Sequence, residues 1–250
     1  MTQIISKSAK IGKDTKLGYN VIIEDGVQIG DGCLIGHNVI IREDSIIGNE
    51  VRIDDNTIIG KLPMKAPRSI FQQEEKLPCC KIADNCLIGA NIVVYRGSTI
   101  GKKTLIADLS TIRENVEIGD YTIIGRGVTV ENYVKIGSRC KLETNVYITA
   151  YSELGDYCFI APCVATSNDN YMGRDKERFK HFKGVTVRTG ARIGVNATIL
   201  PGITIAEDGV VAAGSVVTRD VPKEKIVLGS PAKIFRNVPE PQLLKNNRDK

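Results

Sequence analysis

The sequence is poor in aromatic rings and in histidine. Its 250 residues include no Trp, an aromatic share of only 5%, and two His. No run of about 18 apolar residues occurs, and the first residues lack the basic-then-apolar pattern of a signal peptide. Seven Cys is an odd number, and without secretion signals it favours a reducing compartment. We therefore expect a cytoplasmic protein without a membrane partner.

The charge is also unremarkable, with a formal net value of +5 and basic residues interspersed with acidic ones. The absence of a long basic stripe argues against a nucleic-acid partner. A hydrophobic share of 42% excludes a disordered chain. Many Ile and Val with few rings favour stacked strands around a narrow interior, and the 24 scattered glycines favour repeated tight corners.

An aliphatic residue recurs every six positions through most of the chain. A period of six fits neither an α-helix nor a half-buried strand, but it fits a triangular coil of three short strands, about 18 residues per turn. The sequence therefore predicts an all-β chain, a parallel β-helix. The anchors are Ile11, Leu17, Ile23, Ile29, Ile35, Ile41, Ile47, Ile53 and Ile59, then Ile82 to Ile160, then Val187 to Val217.

Four residues after each anchor stands a small or β-branched residue that we expect to fill the rest of the interior. Four of the seven cysteines, Cys33, Cys86, Cys140 and Cys158, take this position in one column. No CxxC pair occurs. We interpret these cysteines as buried core thiols and expect neither a metal site nor a disulfide framework.

The residue after each anchor differs between the three columns. One column is almost bare (Gly12, Gly30, Gly48, Ala83, Gly101, Gly119, Gly137, Gly155). In the central coils the second column is also bare, except for Glu143 (Gly89, Ala107, Gly125, Glu143, Ala161). The third column carries larger, mostly polar residues (Glu24, Arg42, Tyr95, Arg113, Glu131, Thr149). Two corners of the triangle are thus predicted to be bare and one polar.

Two stretches interrupt the repeat, at about 61–81 and 166–186. In this register both leave from the polar corner, about six coils apart, and long loops on a regular scaffold commonly carry function. We expect the β-helix to fill residues 1–222. Residues 223–250 are expected to form a capping tail that ends in a short polar helix or a frayed end.

The repeat, together with two C-terminal segments, resembles the hexapeptide-repeat acyltransferases, which fold as left-handed parallel β-helices. The central coils and the second interruption are similar to bacterial 3-N-acetyltransferases of nucleotide-linked 3-amino-3,6-dideoxyhexoses. The segments are 212–222 (AAGSVVTRDVP) and 229–233 (GSPAK) for the first resemblance, and 95–97 (YRG), 106–109 (IADL), 112–115 (IREN), 142–145 (LETN), 147–151 (YITAY) and 167–174 (SNDNYMGR) for the second.

The resemblance implies a homotrimer with active sites between neighbouring subunits, acetyl-CoA as acyl donor, no metal, and a nucleotide-linked amino sugar, dTDP- or UDP-bound, as acceptor for surface polysaccharide synthesis. It also implies donor binding along the C-terminal coils. Ala213, Gly214 and Ser215 have small side chains that suit close backbone approach, although corner geometry alone also explains them. The candidates for the donor's phosphates are Arg219, Lys225 and Lys233.

Acyl transfer to an amine requires removal of a proton and stabilisation of an oxyanion. The catalytic candidates are Glu143, Asn168 and His181. The substrate-binding candidates are Arg113, Glu131, Tyr147, Asn170 and Tyr171. Two alternatives stay open: Arg113 and Glu131 stand in adjacent coils and can pair with each other, and the amine can attack without a side-chain base.

Three rival functions share this fold. Acyltransferases for lipid A precursors typically use a His, and here neither His lies at a corner of the central coils. A γ-carbonic anhydrase needs three His ligands for zinc, whereas this chain has two. A non-catalytic spacer needs neither long interruptions nor a charged exception such as Glu143.

Overall fold

The computed structural model describes residues 3–64 and 76–248. The chain winds into a triangular prism whose three walls are sheets of short strands, with 11, 10 and 12 strands within the described residues. Within the coils, successive strands of a wall pair in parallel, one coil apart, as in the pairing of Ile23 with Ile41. The predicted all-β parallel β-helix is confirmed.

We name the walls sheets A, B and C in the order in which the chain visits them. Sheet A contains Ile4–Ile5, Ile22–Ile23, Ile40–Ile41, Ile58–Lys61, Val93–Tyr95, Thr111–Ile112, Thr129–Val130, Tyr147–Ile148, Ala165–Thr166, Thr198–Ile199 and Val216–Val217. Sheet B contains Lys10–Ile11, Gln28–Ile29, Ile46–Ile47, Lys81–Ile82, Thr99–Ile100, Glu117–Ile118, Lys135–Ile136, Glu153–Leu154, Thr186–Val187 and Thr204–Ile205. Sheet C contains Lys16–Leu17, Leu34–Ile35, Arg52–Ile53, Leu87–Ile88, Leu105–Ile106, Ile123–Ile124, Lys141–Leu142, Phe159–Ile160, Arg192–Ile193, Val210–Val211, Lys225–Gly229 and Ala232–Asn237.

The six-residue repeat builds the core because the second residue of each strand points inward. Ile124 and Ile112 are fully buried, whereas Ile123, the outward neighbour of Ile124, is 37% exposed. The small residues between the strands fill the remaining space, and Cys140 and Cys158 are among them. All four cysteines of that column are buried and free of disulfides, as predicted.

The corners are tight turns whose third residue adopts positive φ, as at Asn38 (φ 56°) and Asn56 (φ 60°). Asn and Asp tolerate this conformation better than other side chains do. Their side chains also join the coils: Asn38 Nδ2 donates to Asn56 Oδ1 at 3.0 Å, and the Lys13 amide donates to Asp31 Oδ1 at 2.7 Å. We name the corners by the sheets that they join, in chain order: corner AB, corner BC and corner CA.

Both interruptions leave the coil at corner AB, as the sequence predicted. The first follows Ile58–Lys61 and the second follows Ala165–Thr166, and each returns to sheet B. These two strands lie five spacings apart in sheet A, not six, which is about 24 Å at about 4.8 Å per spacing. The second interruption contains the helix Arg178–His181. Residues 65–75 of the first lie outside the described residues.

The C-terminal tail adds two strands to sheet C, which were not predicted, before it ends in short helical turns. Lys225–Gly229 pairs in parallel with Val210–Val211, and Ala232–Asn237 turns back antiparallel to it. Two short 3-10 helices, Glu240–Gln242 and Leu244–Asn246, follow. The tail lacks the six-residue period, so the repeat could not predict these strands. Among the described residues, no helix has the length and apolar character needed to cross a bilayer.

Candidate functional site

The polar column of the sequence becomes a connected charged cluster on corner AB. The Arg113 guanidinium donates to both carboxylate oxygens of Glu114, from Nε at 2.8 Å and from a terminal nitrogen at 3.1 Å. Its other terminal nitrogen donates to Glu131 Oε2, one coil further on, at 3.3 Å. One cation thus holds two carboxylates, and bidentate pairing fixes the first more firmly than the second.

The cluster extends one coil further toward the N-terminus through Tyr95. The Arg113 guanidinium lies 5.0 Å from the centre of the Tyr95 ring, and Lys61 Nζ lies 4.6 Å from the same centre. Lys61 Nζ also donates to the Tyr95 hydroxyl at 3.3 Å. Cation–π contacts of this kind hold the ring and both cations in place along the corner.

Burial raises the pKa of the Glu131 carboxyl; the Arg113 charge opposes this shift and the nearby Glu114 charge adds to it. Tyr147 lies on the outer face of sheet A, one coil beyond the strand that precedes Glu131. Burial raises the pKa of its hydroxyl, and the Glu131 charge raises it further. Raised pKa values at two neighbouring groups, Glu131 on the open corner and Tyr147 on the wall beside it, are typical of sites that handle protons.

Asn132 adds an unsatisfied donor to the same cluster. Asn132 is only 4% exposed, and its side-chain Nδ2 has no hydrogen-bond partner within the described part of the chain. A buried amide without a partner costs free energy, so such a group is commonly completed by a ligand or a water molecule.

The second interruption folds around Asp169, a residue that the sequence analysis did not select. Its carboxylate accepts from the amides of Tyr171 at 2.8 Å and Gly173 at 3.0 Å, and from Arg178 at 3.0 Å. The Tyr171 ring stacks on His181, with centres 5.9 Å apart. Asn168 is half-buried and its carbonyl accepts from the Lys183 amide at 3.3 Å, whereas Asn170 is exposed.

Asn168 follows the sheet A strand two spacings beyond that of Glu131, about 10 Å along the prism. Arg113, Glu131 and Asn168 therefore lie on corner AB, and Tyr147 lies on the adjoining outer face of sheet A.

Glu143 lies on a different corner. It follows the sheet C strand Lys141–Leu142 and therefore stands on corner CA, where Lys141 Nζ contacts its carboxylate at 3.0 Å. Asp54 occupies the equivalent turn position nearer the N-terminus and pairs with Arg52 in the same way, at 2.7 Å. Glu143 is thus not the only charge of its column, and within one subunit it does not join the cluster on corner AB.

The predicted donor-binding residues divide between the same two corners and the tail. Ala213 and Gly214 are exposed on corner CA, three sheet C spacings beyond Glu143, and an added Cβ at Gly214 would meet nothing within 4 Å. Ser215 is buried, and its hydroxyl accepts from the Gly229 amide at 3.1 Å. Arg219 is exposed at corner AB.

The other two predicted phosphate contacts lie on the tail hairpin. Lys225 hydrogen-bonds Asn237 across the hairpin, and Lys233 is exposed.

Three residues of the cluster were not predicted from the sequence: Glu114, Asn132 and Lys61. Glu114 and Asn132 occupy the second turn position of corner AB, and polar residues at this position in adjacent coils are the signal that was available. Lys61 could not be found from the period, because the strand Ile58–Lys61 has an irregularity that places Lys61 opposite Tyr95. Among the described residues no group of three or more His, Cys, Asp or Glu side chains is placed to hold a metal ion.

The repeat itself matches known families. The bacterial transferase hexapeptide model matches residues 8–43 and 97–132, and the hexapeptide repeat of succinyl-transferase matches 81–107, 115–150 and 184–219. Together these matches cover more than half of the chain. The chain belongs to the hexapeptide-repeat acyltransferase family.

Individual relatives match only over short stretches. A candidate acetyltransferase of Saccharomyces cerevisiae is 34% identical over 85 residues, which is 33% of this chain and 43% of that protein. The 2,3,4,5-tetrahydropyridine-2,6-dicarboxylate N-acetyltransferase of Clostridium perfringens is 56% identical over 48 residues, 19% of this chain and 20% of that protein. The chain thus spans less than half the length of these curated relatives.

Among solved structures, the Arabidopsis UDP-N-acetylglucosamine acyltransferase superposes with a TM-score of 0.52 at 19% identity. The match covers 99% of this chain and 75% of that one. At this identity the similarity shows the fold alone.

Proposed function

We propose that this chain is an acetyltransferase that moves the acetyl group of acetyl-CoA onto the amino group of a nucleotide-linked amino sugar, with a dTDP-3-amino-3,6-dideoxyhexose as the leading acceptor. The observation that carries the proposal is the cluster on corner AB. Two carboxylates share one guanidinium there, which suits an acceptor that arrives as an ammonium ion. Family membership supports acyl transfer, and an N-acetyltransferase among the relatives supports an amine acceptor.

The residues of corner CA suit the acyl donor. Ala213 and Gly214 are exposed in the single subunit and lie in the last coil, so a pantetheine arm can approach their backbone from the C-terminal end of the prism even where sheets A and C pack against neighbours. Arg219 is exposed beyond the end of the last sheet A strand and Lys233 on the tail, where cations can meet phosphate groups. Ser215 is buried and its hydroxyl accepts from the Gly229 amide, which joins the turn to the tail; its part in donor binding stays a prediction.

A homotrimer is part of the proposal, and the three outer faces of the prism support it. The outward side chains of sheet B are mostly charged or polar, for example Lys135 and Glu153. Those of sheet C include exposed Leu34, Leu87 and Ile123, and those of sheet A include exposed Ile4. Apolar faces on two walls that meet at corner CA fit a cyclic assembly in which each copy packs between two others. Corner AB then lies at the outer edge of the contact.

The test is a thiol-release assay with acetyl-CoA and a panel of dTDP- and UDP-linked amino sugars, with matched sugars that carry a hydroxyl in place of the amine. We expect CoA release only with the amino sugars and most with a 3-amino-3,6-dideoxyhexose. Release only with hydroxyl acceptors and long acyl donors would favour a lipid A-type acyltransferase. Absence of acetyl-CoA binding by calorimetry would favour a non-catalytic β-helix.

A further inference from the structure

We propose that the Glu131 carboxylate accepts the proton of the acceptor's ammonium group, and that Arg113, held by Glu114, positions it. The inference rests on the proposed function and adds the identity of the base. It also moves the proton-accepting role from Glu143, the sequence-based candidate, to a residue selected for substrate binding.

The two carboxylates of the cluster are not equivalent. Both oxygens of Glu114 accept from Arg113, at 2.8 and 3.1 Å, and its side chain is only 10% exposed. Glu131 accepts from Arg113 through Oε2 alone, at 3.3 Å. Its Oε1 has no hydrogen-bond partner among the described residues, and its side chain is 22% exposed. Glu131 is therefore the carboxylate that still has an oxygen free to meet a substrate.

The surroundings of Glu131 favour proton acceptance. The charged and titratable groups that face it are Arg113, Glu114 and Tyr147. Burial raises the pKa of Glu131 and brings it nearer to the operating pH of a general base. Asn132, the next residue, supplies a buried Nδ2 donor without a partner, which an oxygen of a bound acceptor can satisfy. A free carboxylate oxygen and a free amide donor on adjacent residues fit an amino sugar.

Among the described residues, Glu143 lacks the guanidinium and the second carboxylate that hold Glu131 in place. Its carboxylate is paired with Lys141 on corner CA, and the pair of Asp54 with Arg52 repeats this arrangement in the N-terminal coils. A contact that recurs where no other site residue is found belongs to the architecture of the corner.

The reaction balances with one side-chain base. The ammonium gives one proton to Glu131, which passes it to water. The amine lone pair then forms the C–N bond at the thioester carbonyl carbon, and the C–S bond breaks with its electron pair on sulfur. The leaving thiolate takes the second N–H proton, so the products are the amide, the free thiol and one proton in solution.

The experiment compares the wild type with Glu131→Gln, Glu131→Asp and Arg113→Gln, with pH profiles of kcat/KM for an amino-sugar acceptor. We expect Glu131→Gln to lower kcat by about 100-fold or more with the KM for acetyl-CoA unchanged. Glu131→Asp keeps the charge and should retain intermediate activity. The matched control is Glu117→Gln on sheet B, an exposed carboxylate paired with Lys135, which should stay within twofold of wild type.

The pH profile separates a base from a structural residue. Because Glu131 must be ionised, activity falls as the pH drops through its pKa. Arg113 lowers that pKa, so Arg113→Gln should move the acidic limb to higher pH. The substrate's own ionisation is the same in every variant, so a shift between variants belongs to the protein.

The inference is overturned if folded Glu131→Gln keeps more than a third of the activity, or if Glu143→Gln removes the acidic limb instead. If the wild type transfers no acetyl group to any amine, the proposed function fails and the inference fails with it. Thermal melts of each variant, and the activity of Glu131→Asp, distinguish a lost base from a lost fold.

Discussion

Corners AB and CA are built by the same six-residue repeat and differ in what stands between their coils. On corner CA an ideal Cβ added to Gly125 would lie 2.7 Å from the carbonyl oxygen of Leu142, so a small residue keeps the coils in contact. On corner AB, Arg113 and Glu131 occupy the equivalent position and project a charged cluster. Corner CA is thus a close-packed edge flanked by apolar faces. Corner AB is the edge where charged side chains project and where both interruptions leave the coil.

The largest expected effect concerns the apolar face beside corner CA. Leu87→Glu places a charge on sheet C at a side chain that is 49% exposed in one subunit. If sheets A and C pack against neighbouring subunits, the trimer has three interfaces. Each interface then loses the burial of one Leu side chain, about 2 kcal/mol, and gains a charge. We expect monomers at micromolar concentration by analytical ultracentrifugation. Thr99→Glu, in the same coil on sheet B, should leave the assembly unchanged. The same oligomeric state for both variants would contradict the proposal that sheet C, and not sheet B, packs against neighbouring subunits.

The second prediction compares the two corners directly. Gly125→Val forces a branched side chain against the backbone of the next coil on corner CA and should lower the free energy of unfolding by about 1–3 kcal/mol. Thr149→Val keeps a branched side chain of the same size on corner AB, where Thr149 is already buried, and exchanges only the hydroxyl for a methyl group, so we expect a loss of no more than about 0.5–1 kcal/mol. Denaturant titration of both variants gives the comparison. Losses of equal size would mean that corner CA accommodates a branched side chain as readily as corner AB does.

The repeat made the scaffold predictable but not the contacts along it. Ile124 and Cys140 are buried because period and side-chain size alone select inward positions. The polar identity of corner AB was equally visible, because Arg113 and Glu131 fall in one column. The six-residue period does not predict which neighbouring polar side chains pair. The bidentate contact of Glu114 with Arg113 and the unpaired Nδ2 of Asn132 were therefore seen only in the described structure. The hairpin Lys225–Gly229 and Ala232–Asn237 escaped prediction because it has no period at all.

The smallest effect lies in the second interruption, where corner AB departs furthest from the coil. The second interruption leaves the β-helix and has to be stabilised by its own contacts, and those made by Asp169 are electrostatic. Burial acts to raise the pKa of Asp169, but the Tyr171 and Gly173 amides and the Arg178 guanidinium outweigh it and hold the value below that of an ordinary aspartate. In the unfolded chain the pKa of an aspartate is about 3.9, and in the folded chain the pKa of Asp169 is lower. The stabilisation is therefore complete above a pH of about 3.9 and is lost as the pH falls through the pKa of the folded state.

We therefore expect the amide resonances of Tyr171 and Gly173 to titrate with a midpoint below about 3.9, while amides of the coil such as Ile124 stay unchanged over the same range. Asp169→Asn should flatten both titrations and speed hydrogen exchange in 169–181 several-fold at neutral pH, because the ion pair to Arg178 is gone. A midpoint at or above the ordinary value would mean that the amides do not hold the ionised carboxylate. Coil amides that moved together with Tyr171 would mean that the interruption and the coil unfold as one unit. In that case the coils of the β-helix and the interruption on corner AB would not differ in local stability.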